Sequence, residues 1–225
     1  MGKWFFLSYE LSPELSNYGG NPGVEIMYAN KISQGNSSNH SLIKLSSHTA
    51  THIDFPLHFL SNGKSGSDYA ADDFVFERVH WVDISHITPD NYLIAPHHLR
   101  DVLLEVSTDI QLILFKTGFC YKRSEALYWK NNWGFAPSSA NFLKERFPQL
   151  RAVGFDLISL TSYQQREIGR EAHREFLGTH QLLLIEDMNL SMLSSDRQLQ
   201  KVIVSPLRVV QSEGAPVTVW ATYEK

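Results

Sequence analysis

The segment HTATHIDFPLHF, residues 48–59, carries His48, His52, Asp54 and His58. All four stand at even positions. Side chains alternate faces along an extended chain, so the spacing predicts four imidazole or carboxylate groups on one face of a strand. Thr49, Thr51, Ile53 and Phe55 favour that strand, and Pro56 would interrupt a helix. A solvent-facing strand would more usually carry Lys, Glu and Thr than three imidazoles beside a carboxylate. Imidazole and carboxylate together suit a borderline cation such as Zn²⁺ or Mn²⁺. Without thiolates, the set points to a catalytic ion with an open position, where a water whose pKa falls to about 7 supplies hydroxide.

One strand can approach an ion from one side only, so distant residues must complete its sphere. The segment EAHREFLGTHQLLLIEDMNL offers His173 in a predicted helix and Glu186 at the end of an apolar strand. His180, Glu171 and Asp187 are rivals. His58 is the candidate proton shuttle, because an imidazole with an ordinary pKa near 6.5 both accepts and returns a proton at neutral pH.

The elements that must hold these residues show in the apolar pattern. Strands are predicted at 4–8, 24–29, 42–54, 79–84, 111–117, 152–158, 181–186, 200–205 and 216–222. Leu99, Val102, Leu103 and Val106 have helical spacing after Pro96, as do Phe142, Leu143 and Phe147 after a capping serine. A third helix is predicted over 164–179. Strands and helices mix without strict alternation, which predicts an α/β fold with a mixed sheet layered with a few helices.

Length and composition predict one domain over residues 1–225, with 43% hydrophobic residues, 20% charged and a net charge of −4. No basic stripe is present to hold nucleic acid. A single cysteine, Cys120, excludes an internal disulfide, suits the cytoplasm and is expected to be a buried thiol. No apolar run approaches a membrane span, and MGKWFFLSYE lacks the features of a signal peptide. GKS at 63–65 is no phosphate loop, since the first glycine of that motif would fall at His58. His97 and His98 open a predicted helix, where solvated or capping roles are expected.

Taken together, HTATHIDFPLHF, the N-terminal LSYELSP, KTGF, AVGFDLISL, the AHREFL and IEDMNL segments and the closing VSPLRVVQSEGAPVTVWA resemble the cyclase family of metal-dependent hydrolases. That family has the signature HxGTHxDxPxH, and its best-known branch is bacterial kynurenine formamidase. The resemblance implies a swivelling β/β/α fold and a homodimer or larger homo-oligomer. It also implies one or two divalent ions, zinc foremost and manganese as an alternative. His48, His52 and Asp54 would bind one ion, Asp54 would bridge to a second held by His173, Glu186 would serve both, and His58 would move the proton. The expected reaction is hydrolysis of a small amide, of the formamide type such as N-formylkynurenine or a cyclic amide. A metal-dependent lyase or cyclase and a non-catalytic metal-binding protein are the alternatives.

The chain departs from the family in four places. Ala50 replaces the signature glycine, adding a methyl where the backbone takes an unusual angle or passes closely. His173 and Glu186 are thirteen positions apart, one more than the formamidase branch has, which predicts an altered loop between them. Tyr18 falls where formamidases place a substrate-stacking Trp, and it could join the aromatic-rich YWKNNWGF in an apolar wall for an aryl substrate. Thr161 stands where many members have Asp.

Overall fold

Four consecutive apolar residues, Leu112 to Phe115, lead into Lys116, and all five are buried. A strand apolar on both faces belongs in the middle of a covered sheet. The computed structural model describes residues 3–15, 23–125, 128–194 and 197–223.

Its strands in chain order are β1 (Trp4–Phe6), β2 (Glu25–Asn30), β3 (His40–Lys44), β4 (His52–Asp54), β5 (Val75–Phe76), β6 (Val79–Asp83), β7 (Leu93–Ile94), β8 (Leu112–Lys116), β9 (Gly134–Phe135), β10 (Ala152–Phe155), β11 (Leu183–Glu186), β12 (Leu199–Pro206) and β13 (Gly214–Tyr223). The helices are α1 (Pro96–Leu99), α2 (Ser138–Arg146) and α3 (Arg166–His173). Nine strands form one sheet in the order β5-β12-β13-β4-β11-β10-β8-β6, with β1 beside β13. β6, β8, β10 and β11 run parallel, whereas β4, β13, β12 and β5 pair antiparallel. This is the mixed sheet with few helices that the sequence predicts.

Alternation sorts the core into two layers. Ile113, Phe115, Val153, Phe155 and Leu184 face a cluster that includes Leu143 of α2, Ala172 of α3 and Phe176. Ile53, Leu112, Leu114, Ala152 and Ile185 face the other, built with Val202, Val204, Val217 and Val219. The β2–β3 hairpin lies outside the main sheet and is exposed along its whole length.

Two sequence expectations are corrected and a third is refined. The strand expected over 42–54 is two strands, β3 and β4, belonging to different sheets. Between them Ala50 takes φ +54, a left-handed conformation that ends an extended run. The helix expected around Leu99–Val106 is α1 followed by isolated turns, whose backbone bonds mix i→i+4 and i→i+3. Successive turns bury Leu99, Leu103 and Val106 as a helix would, so the periodicity reported burial rather than a continuous helix.

The helix expected over 164–179 is present as α3, continued by a π-helical segment, Arg174–Thr179. His180 N–H donates to Glu175 O at 3.0 Å, the i→i+5 bond of that form. A π turn holds one residue more than an α turn. That π turn lies within the thirteen-position spacing from His173 to Glu186.

Candidate active site

The site lies where the antiparallel and parallel halves of the sheet meet. β4 pairs with β11 so that His52 stands opposite Glu186 and Asp54 opposite Leu184. Only His52–Asp54 is strand, so the expected single strand face carrying His48 and His58 is not formed. His48 precedes the left-handed turn at Ala50, and His58 sits in a 3₁₀ turn, Pro56–His58. The two turns still bring the four groups together, because the 3₁₀ turn folds His58 back over His48. Their ring centroids are 4.1 Å apart with planes inclined by 29°.

α3 delivers His173 from the other side. His173 Nε2 lies 3.6 Å from Asp54 Oδ2 and 3.4 Å from Glu186 Oε1. His52 Nε2 lies 3.5 Å from Asp54 Oδ1 and 3.3 Å from Glu186 Oε2. All four side chains are buried. Leu160 N–H donates to Glu186 Oε1 at 2.7 Å, fixing that carboxylate.

The histidines are oriented through their other nitrogen. His52 Nδ1 donates to Ala50 O at 2.8 Å, His173 Nδ1 to Gly169 O at 2.8 Å, and His48 Nδ1 to Asp54 Oδ1 at 2.9 Å. Each neutral ring thus carries its proton on Nδ1 and leaves the Nε2 lone pair free, the tautomer a metal ligand needs. Thr161 Oγ1 lies 3.2 Å from His173 Nδ1, so the residue in the family's Asp position also touches this ring.

Two buried atoms, His48 Nε2 and Asp54 Oδ2, have no hydrogen-bond partner among the described residues. Ligands about 2.0–2.2 Å from a tetrahedral ion lie about 3.3–3.6 Å from one another. The four separations of His52 and His173 Nε2 from the Asp54 and Glu186 oxygens fall in that range, and His52, Asp54 and Glu186 have the donor set for a cation. These residues therefore fit a divalent ion.

The electrostatics agree. Burial opposes charge on His52, but Glu186 and Asp54 outweigh it and raise its pKa to about 9. Burial likewise opposes charge on His173, and Glu186 and Asp54 again win. Glu186 is held well below the usual carboxylate range by His173 and His52, against the effect of its own burial. The cradle attracts positive charge. His58 differs, because desolvation outweighs Asp54 and lowers its pKa.

Sequence reasoning missed Glu213, whose Oε1 accepts from Ser47 Oγ at 2.6 Å and lies 3.3 Å from His48 Nε2. Nothing in QSEGAPV marks it as part of a site. The rivals to His173 and Glu186 are elsewhere: His180 lies 3.7 Å from Glu175, Glu171 is exposed and Asp187 pairs with Arg123. Tyr18 lies outside the described residues. Of the aromatic-rich segment, Tyr128 is fully buried in the core and Trp133 packs against the same cluster.

Cys120 is buried, and desolvation pushes its thiol well above the ordinary range. Besides His52–Asp54–Glu186 and His48–Asp54–His58, Asp90, His97 and His98 form a third donor cluster, at the surface. His98 Nδ1 accepts from Ala95 N–H at 3.0 Å, which is the capping role expected of it. Its proton is then on Nε2, and no ring lone pair remains for an ion.

With this geometry in place, comparison with known proteins identifies the class. The Cyclase family model matches residues 5–161, and the chain belongs to that family. Among curated relatives, Cyclase-like protein 2 of Arabidopsis thaliana is 23% identical, with 96% of this chain and 78% of that protein covered. Kynurenine formamidase of Salinibacter ruber is 27% identical, with 94% and 93% covered. Among solved structures, isatin hydrolase A from Labrenzia aggregata, bound to benzyl benzoate, superposes with a TM-score of 0.84 at 22% identity, covering 99% of this chain and 94% of that one.

Proposed function

We propose that the protein is a metal-dependent hydrolase that cleaves the C–N bond of a small amide, a formamide or a cyclic amide. The buried meeting of His52 and His173 Nε2 with the Asp54 and Glu186 carboxylates at 3.3–3.6 Å carries this reading. His48, His52, Asp54, His173 and Glu186 would hold one or two ions, zinc or manganese. A bound ion supplies a more acidic water and polarises the substrate carbonyl.

The chain's own residues do the rest. His58, kept neutral at pH 7 by burial, accepts the proton of the attacking water and returns it to the departing nitrogen. Phe59, the next residue, stacks on His173 at 4.3 Å and shields that ring from water. The substrate class is supported by two relatives whose names denote amide cleavage, a kynurenine formamidase and an isatin hydrolase, isatin being a cyclic amide.

The same reading includes a homo-oligomer. The β2–β3 hairpin exposes Met27, Tyr28, Leu42 and Ile43 by half or more, and a two-stranded hairpin is marginal in water without a partner surface. Light scattering at the monomer mass would remove this part.

The decisive assay treats chelated protein with N-formylkynurenine and with isatin, before and after adding Zn²⁺ or Mn²⁺. Turnover of either that returns with metal is expected. Stoichiometric metal binding without turnover of either would overturn the amide assignment.

A further inference from the structure

The residue after Glu186 is held at four points. Asp187 has φ +52, a left-handed conformation that costs an aspartate less than most residues but is still unfavourable. Tyr128 Oη donates to its Oδ1 at 2.6 Å, and Arg123 Nη2 donates to its Oδ2 at 2.7 Å. Its N–H donates to Leu157 O at 2.8 Å, and its carbonyl accepts from Thr51 Oγ1 at 2.6 Å. Thr51 in turn immediately precedes His52 and accepts from Tyr9 N–H at 3.0 Å. Behind the cradle, the neighbour of Glu186 is therefore tied to the neighbour of His52.

Arg123 is expensive for a merely stabilising contact. Its guanidinium is buried between the rings of Tyr9 and Tyr128, 5.2 and 5.0 Å from their centroids. Its Nε and Nη1 have no hydrogen-bond partner among the described residues. A buried ion pair with unmet donors is commonly no better for stability than an apolar pair of similar volume. What such a pair does supply is direction, because the guanidinium holds one carboxylate in a fixed place.

We propose that Arg123, Tyr128 and Asp187 are positioning residues for the metal cradle. They lock the end of β11 in its left-handed turn, aim Glu186 at His52 and His173, and thereby set the affinity for a divalent ion. The inference rests on the reading of His52, His173 and Glu186 as ligands. It gives Arg123 and Tyr128, which lie in the loop region after β8, a role in metal binding without contact with the ion.

The test is the double variant Arg123→Met/Asp187→Asn. Both charges leave together, and asparagine keeps the tolerance for a left-handed backbone. The metal-free double variant is expected to melt within about 3 °C of the metal-free wild type. Calorimetric titration with Zn²⁺ should show affinity about 10- to 100-fold weaker, the usual effect of removing a partner behind a ligand. Affinity within twofold of wild type, in a folded double variant, would overturn the proposal. If the double variant does not fold, Tyr128→Phe removes only the hydroxyl. Zinc binding weakened several-fold at an unchanged melting temperature supports the brace, and unchanged binding overturns it. Glu186→Gln, titrated alongside, separates the two ideas: if it still binds zinc tightly, the ligand reading fails and the brace falls with it. If Glu186→Gln loses zinc while the brace variants keep it, the brace alone is wrong.

Discussion

Phe59 lies nearly parallel to the imidazole of His173, 4.3 Å between centroids, while its neighbour His58 lies on His48. One short turn thus directs consecutive residues onto two different histidines. His58 contributes to the site through its position over His48, whereas His52 contributes an Nε2 inside the carboxylate cluster. His58→Ala should therefore keep zinc affinity within a few-fold of wild type and lose about 10²- to 10⁴-fold in kcat. His52→Ala should lose zinc itself. Parallel zinc titration and steady-state kinetics check this, and zinc loss in His58→Ala would make that residue a ligand.

The pH profile follows from the same residue. Burial lowers the His58 pKa below its ordinary 6.5, so the ring stays neutral until the solution is more acidic than that. As a proton acceptor it works only when neutral. The acid limb of kcat/KM should accordingly fall below pH 6.5 and disappear in His58→Ala. An acid limb above 6.5 would assign the proton transfer to another group.

Ala50 is buried at φ +54, where its methyl is strained. Glycine has no such strain but loses more freedom on folding. Strain relief should prevail, and Ala50→Gly should raise stability by about 1 kcal/mol, read from the denaturant midpoint at constant slope.

Gly214 gives His48 its space. A Cβ built there would stand 2.5 Å from His48 Cε1. Gly214→Ala should displace the ring and weaken zinc binding about tenfold or more, with a smaller effect on unfolding. Zinc titration and thermal melting of the variant separate these two effects.

How far the sequence could be read differs from residue to residue. The cluster at 48–58 was visible because histidine, aspartate and proline at those spacings have a chemical meaning wherever the backbone carries them. The expected strand through it was wrong because alanine gives no sign of a left-handed turn. Glycine at 50 would have done so. His173 and Glu186 could be named but not separated from their rivals, since which helix face or strand end turns inward depends on packing across the sheet. Glu213 reaches the site only through the corner that begins β13, and that pairing is not written in its neighbours. The helix over 164–179 was legible from its residues, but its π-helical continuation, Arg174–Thr179, has no mark in the spacing.

The pairing of β4 with β11 has a mechanical consequence. His52 and Glu186 are directly opposed across that seam, yet more than a hundred residues of chain run between them. An ion gripped by both would clasp the two halves of the sheet and close a very long loop, and long loops are those whose closure removes most disorder from the unfolded chain. Stripping the ion should let the seam open before the rest of the sheet, so that a protease cuts the metal-free protein under conditions in which the loaded protein survives.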